Sequence, residues 1–378
     1  MINTEKLLRE LIALPSVNPA FVSVGDALGG EARVADFLAK TAGSAGLDVQ
    51  VQPVLPNRAN ILARYCPPAR IKRRILLAPH MDTVGGDDLP GELFKPRLLG
   101  NRLFGRGACD TKGSVASMFA ALIDCANAAH RPRHTEITFA ALIDEESAQA
   151  GSRALVREGW RADLAIVGEP TRLKVVTAHK GVLWLELLTR GKAAHGARPE
   201  LGKNAVHEMA RVVDLLETKY AAQLRRRKHP LLGNATVNVG AIHGGNQPNI
   251  VPAQCRALVD RRTLPGESDA RVLRELKTFL AAHKLSVSMR RTHPAECCAL
   301  ETNPQKELVK QLLETNSQRA PAGVDYFSDA GVLASGGIPS VLFGPGDIAQ
   351  AHTPDEWVDV RQVEQARDIL VRFFRSLP

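Results

Sequence analysis

The chain has 378 residues, with 49 Lys and Arg against 40 Asp and Glu for a net charge of +9, 44% hydrophobic residues and 24% charged ones. That length gives a prior of two or three domains with sizeable cores, and the composition excludes a disordered or fibrous chain. Aromatic residues make up only 4%, including three Trp and three Tyr, which leaves little from which to build a base-stacking surface.

The N-terminal segment predicts an amphipathic helix, because Leu7, Leu8, Leu11 and Ile12 recur at helical spacing and Pro15 closes it. Glu5, Lys6, Arg9 and Glu10 interrupt its apolar face, so it is not a secretory core. No run of about eighteen apolar residues follows, which argues against a spanning helix and a membrane partner. The cysteines, at 66, 109, 125, 255, 297 and 298, form no CxxC pair. Free thiols and a cytoplasmic address are therefore expected. The basic run Arg225–Lys228 is a single short cluster before His229-Pro230. It reads as a solvated helix end rather than a nucleic-acid stripe.

Further along, short apolar strands alternate with helical patterns. Strands are predicted at Asn60–Arg64, Ile75–Ala78, Glu136–Ile143 and Leu164–Val167, and helices at Val115–Ala129 and Ser147–Glu158. Near-continuous apolar strands between helices predict an α/β sheet covered on both faces. The pattern changes near residue 180. Strands at Val182–Thr189, Ala235–Ala241, Ala253–Arg262 and Leu285–Arg291 enclose helices at Asn204–Glu217 and Asp269–His283, a strand-helix-strand-strand-helix-strand order with a ferredoxin-like signature. A helix at Lys306–Thr315, a strand at Pro339–Phe343 and a helix at Arg361–Ser376 return to the first style. The expectation is an α/β catalytic domain with a mixed, mostly parallel sheet, formed by 1–178 and 296–378. An α+β domain of residues 179–295 is inserted into it.

Candidate chemistry sits where apolar strands end, the usual place for sites in open α/β sheets. His80 and Asp82 follow the strand Ile75–Ala78 two residues apart, so in extended chain both side chains point the same way. A carboxylate at that spacing either holds a metal-bound imidazole from outside or is a plain polar strand end. Asp110 follows two glycines in Gly105-Arg106-Gly107-Ala108-Cys109-Asp110, as a ligand or a helix-start residue. The missing third glycine rejects a dinucleotide loop. Asp144, Glu145 and Glu146 form an acidic triplet after a buried strand, and their mutual repulsion needs relief by a cation or by protonation. Glu169 follows strand and glycine in the same way, and a Gly/Pro-rich loop presents His352. This nitrogen/oxygen set without cysteine suits zinc or a similar divalent ion. Five ligands are too many for one open zinc site but suit two ions sharing a bridging carboxylate, about 3.5–4 Å apart.

Together the motifs PHMDTV, GRGACDTKG, DEES, GEPT and GPGD…AHTPDE, spread from PSVNP near the start to AHTPDEWV near the end, resemble those of the M20 metallopeptidase and deacylase family. The resemblance implies that His80 and Glu169 bind one metal, Glu146 and His352 the other, and that Asp110 bridges them through a segment with a cis peptide after Asp110. It implies two ions, zinc first with cobalt or manganese as alternatives. By the same resemblance Asp82 would orient His80, and Glu145 would be the general base that takes the proton of a metal-activated water. The inserted domain resembles the family's lid and dimerisation domain, which implies a homodimer. In it His195 would reach the partner's site and bind the oxyanion, while Asn249 and Arg261 would contact substrate. Arg261 matches a carboxylate-binding arginine, with Arg262 as the neighbouring alternative. Thr177-Ala178-His179-Lys180-Gly181 is most similar to the acetylornithine deacetylase group, so the implied substrate is an N-acyl-L-amino acid. Dipeptidase, carboxypeptidase and succinyl-diaminopimelate desuccinylase activities are alternatives within the family. A non-catalytic basic binding protein is the alternative outside it.

Overall fold

In the computed structural model, which describes residues 2–85, 91–129 and 131–378, the chain divides into two units. One comprises Met1–Thr177, Thr302–Ala322 and Ser328–Pro378, the other Ala178–Glu301 and Gly323–Phe327. The expected boundary at residue 296 moves to 301/302 for a local reason. Val182 N donates to Cys297 O at 3.0 Å, and Leu300 and Glu301 pair with His179 and Ala178, so this stretch stays with the second unit.

The first unit is built on one sheet. Its strands run in the order Asp48–Leu55, Arg58–Tyr65, Thr135–Ala141, Arg73–Pro79, Leu164–Gly168, Ser340–Leu342, and then Val176–His179, through which the chain leaves the unit. The four from Thr135–Ala141 to Ser340–Leu342 pair in parallel, and antiparallel pairing is confined to the flanks. Parallel strands buried on both faces need continuous apolar sequence, and Ile75–Pro79 and Leu164–Gly168 are buried throughout. Ile75, Leu77, Ile137, Phe139 and Ile166 face a core shared with the helices Thr4–Ile12, Ala32–Ser44, Gly113–Ala126, Glu307–Thr315 and Val360–Arg375. The helices Ala150–Arg157 and Asp329–Ser335 pack together, and Asp329–Ser335 also packs on Leu164–Gly168 and Ser340–Leu342. The expected helix from Ser147 begins only at Ala150, because Gln149 is left-handed, with φ 56°.

The second unit holds an antiparallel sheet in the order Thr236–Gly244, Gln254–Thr263, Gly181–Arg190, Ser288–Arg291. In chain order that is second, third, first, fourth, the ferredoxin-like arrangement. The helices Ala205–Leu215 and Asp269–Ala282 bury Met209, Val212, Val272 and Leu276 against Leu185, Leu187, Ala257 and Val259 of this sheet. Strand Gln254–Thr263 alternates regularly: Cys255, Ala257, Val259 and Arg261 are buried under the helices, while Arg256, Leu258, Asp260 and Arg262 take the other face. Among the described residues, no helix is long and apolar enough to cross a membrane.

Candidate metal centre

Strand register brings three of the candidate segments side by side. Pro79 pairs with Gly168, and His80 bridges Leu142, so His80, the triplet Asp144–Glu146 and Glu169 all emerge at the carboxyl ends of neighbouring parallel strands. Gly168 permits a close approach there: a Cβ on it would lie 2.7 Å from Cβ of Ser114 and 2.8 Å from Cβ of Pro79. Asp110 arrives from the turn before the helix Gly113–Ala126. Gly107 in that turn has φ 80°, and the Asp110–Thr111 peptide is cis. His352 arrives from the C-terminal segment with φ 61°, a left-handed conformation that a non-glycine residue rarely adopts. Such outliers cluster at functional sites.

The side chains converge on Asp110. His80 Nε2 lies 3.1 Å from Asp110 Oδ1, and His352 Nε2 lies 3.3 Å from Asp110 Oδ2 and 3.2 Å from Glu146 Oε1. Two donor sets result, His80 with Asp110 and Glu169, and Asp110 with Glu146 and His352. Within each set the ligand atoms all lie within 4.8 Å of one another. Asp110 belongs to both.

Around this core the carboxylate of Asp82 works mainly on backbone. Its oxygens accept from the amides of Glu145 and Glu146, both at 3.1 Å, and from Asn18 Nδ2 at 2.8 Å. His80 Nδ1 is nearer the Asp82 carbonyl, at 2.9 Å, than its carboxylate, at 3.6 Å. Asn18 also donates to Asp144, which with Glu31 pairs with the half-buried Arg58.

Charge is crowded here. Burial pushes the Glu145 and Glu169 carboxyls well above the usual carboxylate range, and neighbouring acids add to the shift. Burial and the charge of Asp110 push Glu146 up to about 7, and burial does the same to Asp329 in the helix behind the site. Asp110 goes the other way: burial opposes its ionisation, but His352 and His80 hold it below the usual range. Hydrogen bonds to Asp110 and Glu146 raise His352 to about 10. Burial disfavours a charged His80, yet its contacts with Asp110 and Asp82 outweigh that and hold its pKa well above the usual imidazole value. Glu169 Oε1 is buried without a hydrogen-bond partner. Crowded acids, an orphaned carboxylate oxygen and donors of only nitrogen and oxygen fit a divalent cation.

The candidate residues of the second unit fare differently. His195 is exposed on a two-stranded ribbon, paired with Ile250, and its Nδ1 accepts from Ala197 N at 3.1 Å. Asn249, also exposed, lies beside it, since Gly196 N donates to Asn249 O at 2.7 Å. Arg261 is a correction. It is 1% exposed, and its guanidinium forks onto Glu267 at 3.0 and 3.1 Å, so it is committed inside its own unit and not displayed to a ligand. Arg262 lies on the opposite face of the strand, beside Asp260.

Nothing in the motif spacing singles out Asn18, Asp329 or Glu356. Glu356 is buried with Arg106, and its oxygens accept from the amides of Gly107, Cys109 and Asp110. Its place in AHTPDE, four residues after His352, was the one available signal.

Two nitrogen/oxygen donor sets in the crevice at the carboxyl ends of an α/β sheet, with an acid beside them in neither set, define a metal-dependent hydrolase. The model of peptidase family M20/M25/M40 matches residues 76–376. Acetylornithine deacetylase of Myxococcus xanthus is 34% identical over 79% of this chain and 78% of its own length. That of Pectobacterium carotovorum is 31% identical over 97% and 95%. In fold the chain is similar to the M20 family metallo-carboxypeptidase Sso-CP2 from Sulfolobus solfataricus, with a TM-score of 0.78 over 99% of both chains at 19% identity. It is also similar to the Bacillus subtilis YXEP protein, described as a dinuclear metal-binding peptidase, with a TM-score of 0.69 over 98% and 96% at 14% identity. The chain belongs to the M20/M25/M40 peptidase family and is a metallohydrolase acting on amide or peptide bonds.

Proposed function

We propose that this chain is a deacylase of N-acyl-L-amino acids, similar in substrate class to acetylornithine deacetylase. In this reading two divalent ions, zinc foremost, are held by His80, Asp110 and Glu169 and by Asp110, Glu146 and His352. The observation that carries it is the sharing of Asp110 between two three-residue donor sets. The relatives named acetylornithine deacetylase, two of them aligned over at least 78% of both chains, support the substrate class.

Ions held by these residues would supply a Lewis acid for the amide carbonyl and a lowered pKa, toward about 7, for water. Glu145 is the general base. It stands next to a proposed ligand, belongs to neither donor set, and its backbone is held by Asp82. A carboxylate so placed would take a proton from the attacking water at its Oε atoms and deliver it to the departing nitrogen. Asp82 is a positioning residue for His80, Glu145 and Glu146.

To the second unit we assign a lid and dimerisation role, His195 as oxyanion donor, Asn249 as a substrate contact, and Arg262 in place of Arg261 for the substrate carboxylate. A homodimer through this unit is supported by the strand Thr236–Gly244, which ends its sheet and offers unpaired backbone groups at an edge. A cytoplasmic address belongs to the same reading.

The test is a panel of N-acyl amino acids, including N-acetylornithine and N-succinyl-diaminopimelate, and dipeptides, each assayed with zinc, cobalt or manganese. The reading requires the highest kcat/KM on an N-acyl amino acid; a dipeptide preferred tenfold would replace it with a peptidase. Glu145→Gln should keep its metal, measured by elemental analysis, and lose about 10²–10⁴-fold in kcat. Near-normal turnover in that variant would remove Glu145 from the mechanism.

A further inference from the structure

One buried carboxylate outside both donor sets ties together the two loops that complete the site. Glu356 Oε1 accepts from Cys109 N at 2.9 Å and Asp110 N at 3.0 Å, while Oε2 accepts from Gly107 N and Arg106 Nη1, both at 3.0 Å. Three amide contacts therefore fix the backbone of the turn that carries Asp110, and one of them is to the amide of Asp110 itself. The same residue anchors the other loop. Its carbonyl accepts from Gly105 N at 3.0 Å, and Arg106 Nη1 also reaches Thr353 O at 3.3 Å, one residue beyond His352. His80 and Glu169 need no such link, since they leave neighbouring parallel strands directly.

We propose that Glu356 is a positioning residue for the metal centre, holding the Asp110 turn and the His352 loop in register so that a second ion can bind beside the first. The proposal rests on the two-ion reading given above. A carboxylate suits this place because all four of its partners are donors, and a charged acceptor in such a nest makes stronger bonds than a neutral one. A glutamine has the same shape but one acceptor atom. Whichever way its amide turns, two of the four donors face an NH₂ group, and a buried donor left unpaired forces the loop to shift.

The experiment uses manganese(II) alone as probe, with binding titrations and electron paramagnetic resonance of the full chain. Wild type is expected to bind two equivalents and give the multiline spectrum of an exchange-coupled pair. One equivalent with an isolated six-line signal in wild type would sink the two-ion reading, whatever Glu356 does. Given a coupled wild type, Glu356→Gln should keep the first ion within about threefold. It should bind the second at least tenfold more weakly and show six-line signals in place of the coupled spectrum. Glu356→Asp, which restores the charge on a shorter arm, should recover part of the coupling. Arg106→Met, which leaves the three amide contacts in place but gives up the contact to Thr353 O, should weaken the second ion less than Glu356→Gln does. Two ions and an intact coupled spectrum in Glu356→Gln overturn the proposal, as does equal loss of the second ion in Arg106→Met, which would assign the effect to general loosening. If neither the Gln nor the Asp variant folds, Glu356 serves the fold at large and the proposal also fails.

Discussion

Replacing Asp82 by asparagine tests how the centre is built, because one side chain holds three of its parts. In wild type the two oxygens accept from Glu145 N, Glu146 N and Asn18 Nδ2 at 2.8–3.1 Å, and one lies 3.6 Å from His80 Nδ1. With the asparagine NH₂ in place of Oδ2, Glu146 N and Asn18 would each face a donor; with it in place of Oδ1, Glu145 N would. Hydrogen bonds to charged groups contribute about 1.5–3 kcal/mol each, so losing one or two costs about 1.5–6 kcal/mol. Part of that falls on the fold and part on the site, where loss of an outer partner of a metal-binding histidine weakens metal affinity about 10–100-fold. Chelator competition on wild type and Asp82→Asn gives the second share, and urea unfolding of the chelated proteins gives the first. Because Asp82 also fixes the backbone of Glu145, kcat of the metal-saturated variant should fall while KM holds. If Asp82→Asn binds metal within threefold of wild type and unfolds at the same urea concentration, the network is not what positions the ligands.

Metal should stabilise the protein more at pH 8 than at pH 5.5. Without an ion, Glu146 at about 7 and His352 at about 10 are raised above their unfolded values. Their protonated forms are favoured in the fold at low pH, that stability is lost as pH rises through the folded pKa values, and a cation must displace those protons. A Tm gain on zinc addition that is equal at the two pH values would contradict this. Arg261→Ala should cost about 3 kcal/mol by breaking a buried pair while leaving KM within twofold. Arg262→Ala should raise KM at least tenfold with little loss in denaturant unfolding, and the reverse pattern would return the substrate role to Arg261. Finally, Ala178–Glu301 holds 20 Lys and Arg against 11 Asp and Glu, which accounts for the whole net charge of the chain. For an anionic N-acyl amino acid, kcat/KM should drop at least threefold between 20 mM and 500 mM NaCl, and less for a zwitterionic substrate, as charge-steered encounter requires. A flat salt profile for both would show that this charge does not guide substrate.

The central strands were legible because burial on both faces demands unbroken apolar runs, as in Ile75–Ala78 and Leu164–Val167. The donors were legible for the same reason, since a polar residue directly after such a run stands at the edge of the sheet. The strand Asp48–Leu55 left no such trace: it is an edge strand, mostly exposed, with Pro53 inside it. Arg261 and Arg262 could be told apart only after the helices showed which face of their strand is covered. Asn18 and Glu356 were invisible as contributors because their contacts lie 64 and about 250 positions away in the chain, several of them to backbone amides that have no signature in side-chain sequence.

The order in which the donors are made has a consequence for biosynthesis. His80, Asp110 and Glu169 all exist once residue 169 has left the ribosome, whereas His352 and Glu356 come only after the whole second unit. At ordinary rates of about 5–20 residues per second, that gap lasts roughly 10–40 s. On the proposed two-ion reading, a nascent chain owns the makings of one half-site long before the other, and an ion taken up early would wait, loosely held, for the tail to arrive.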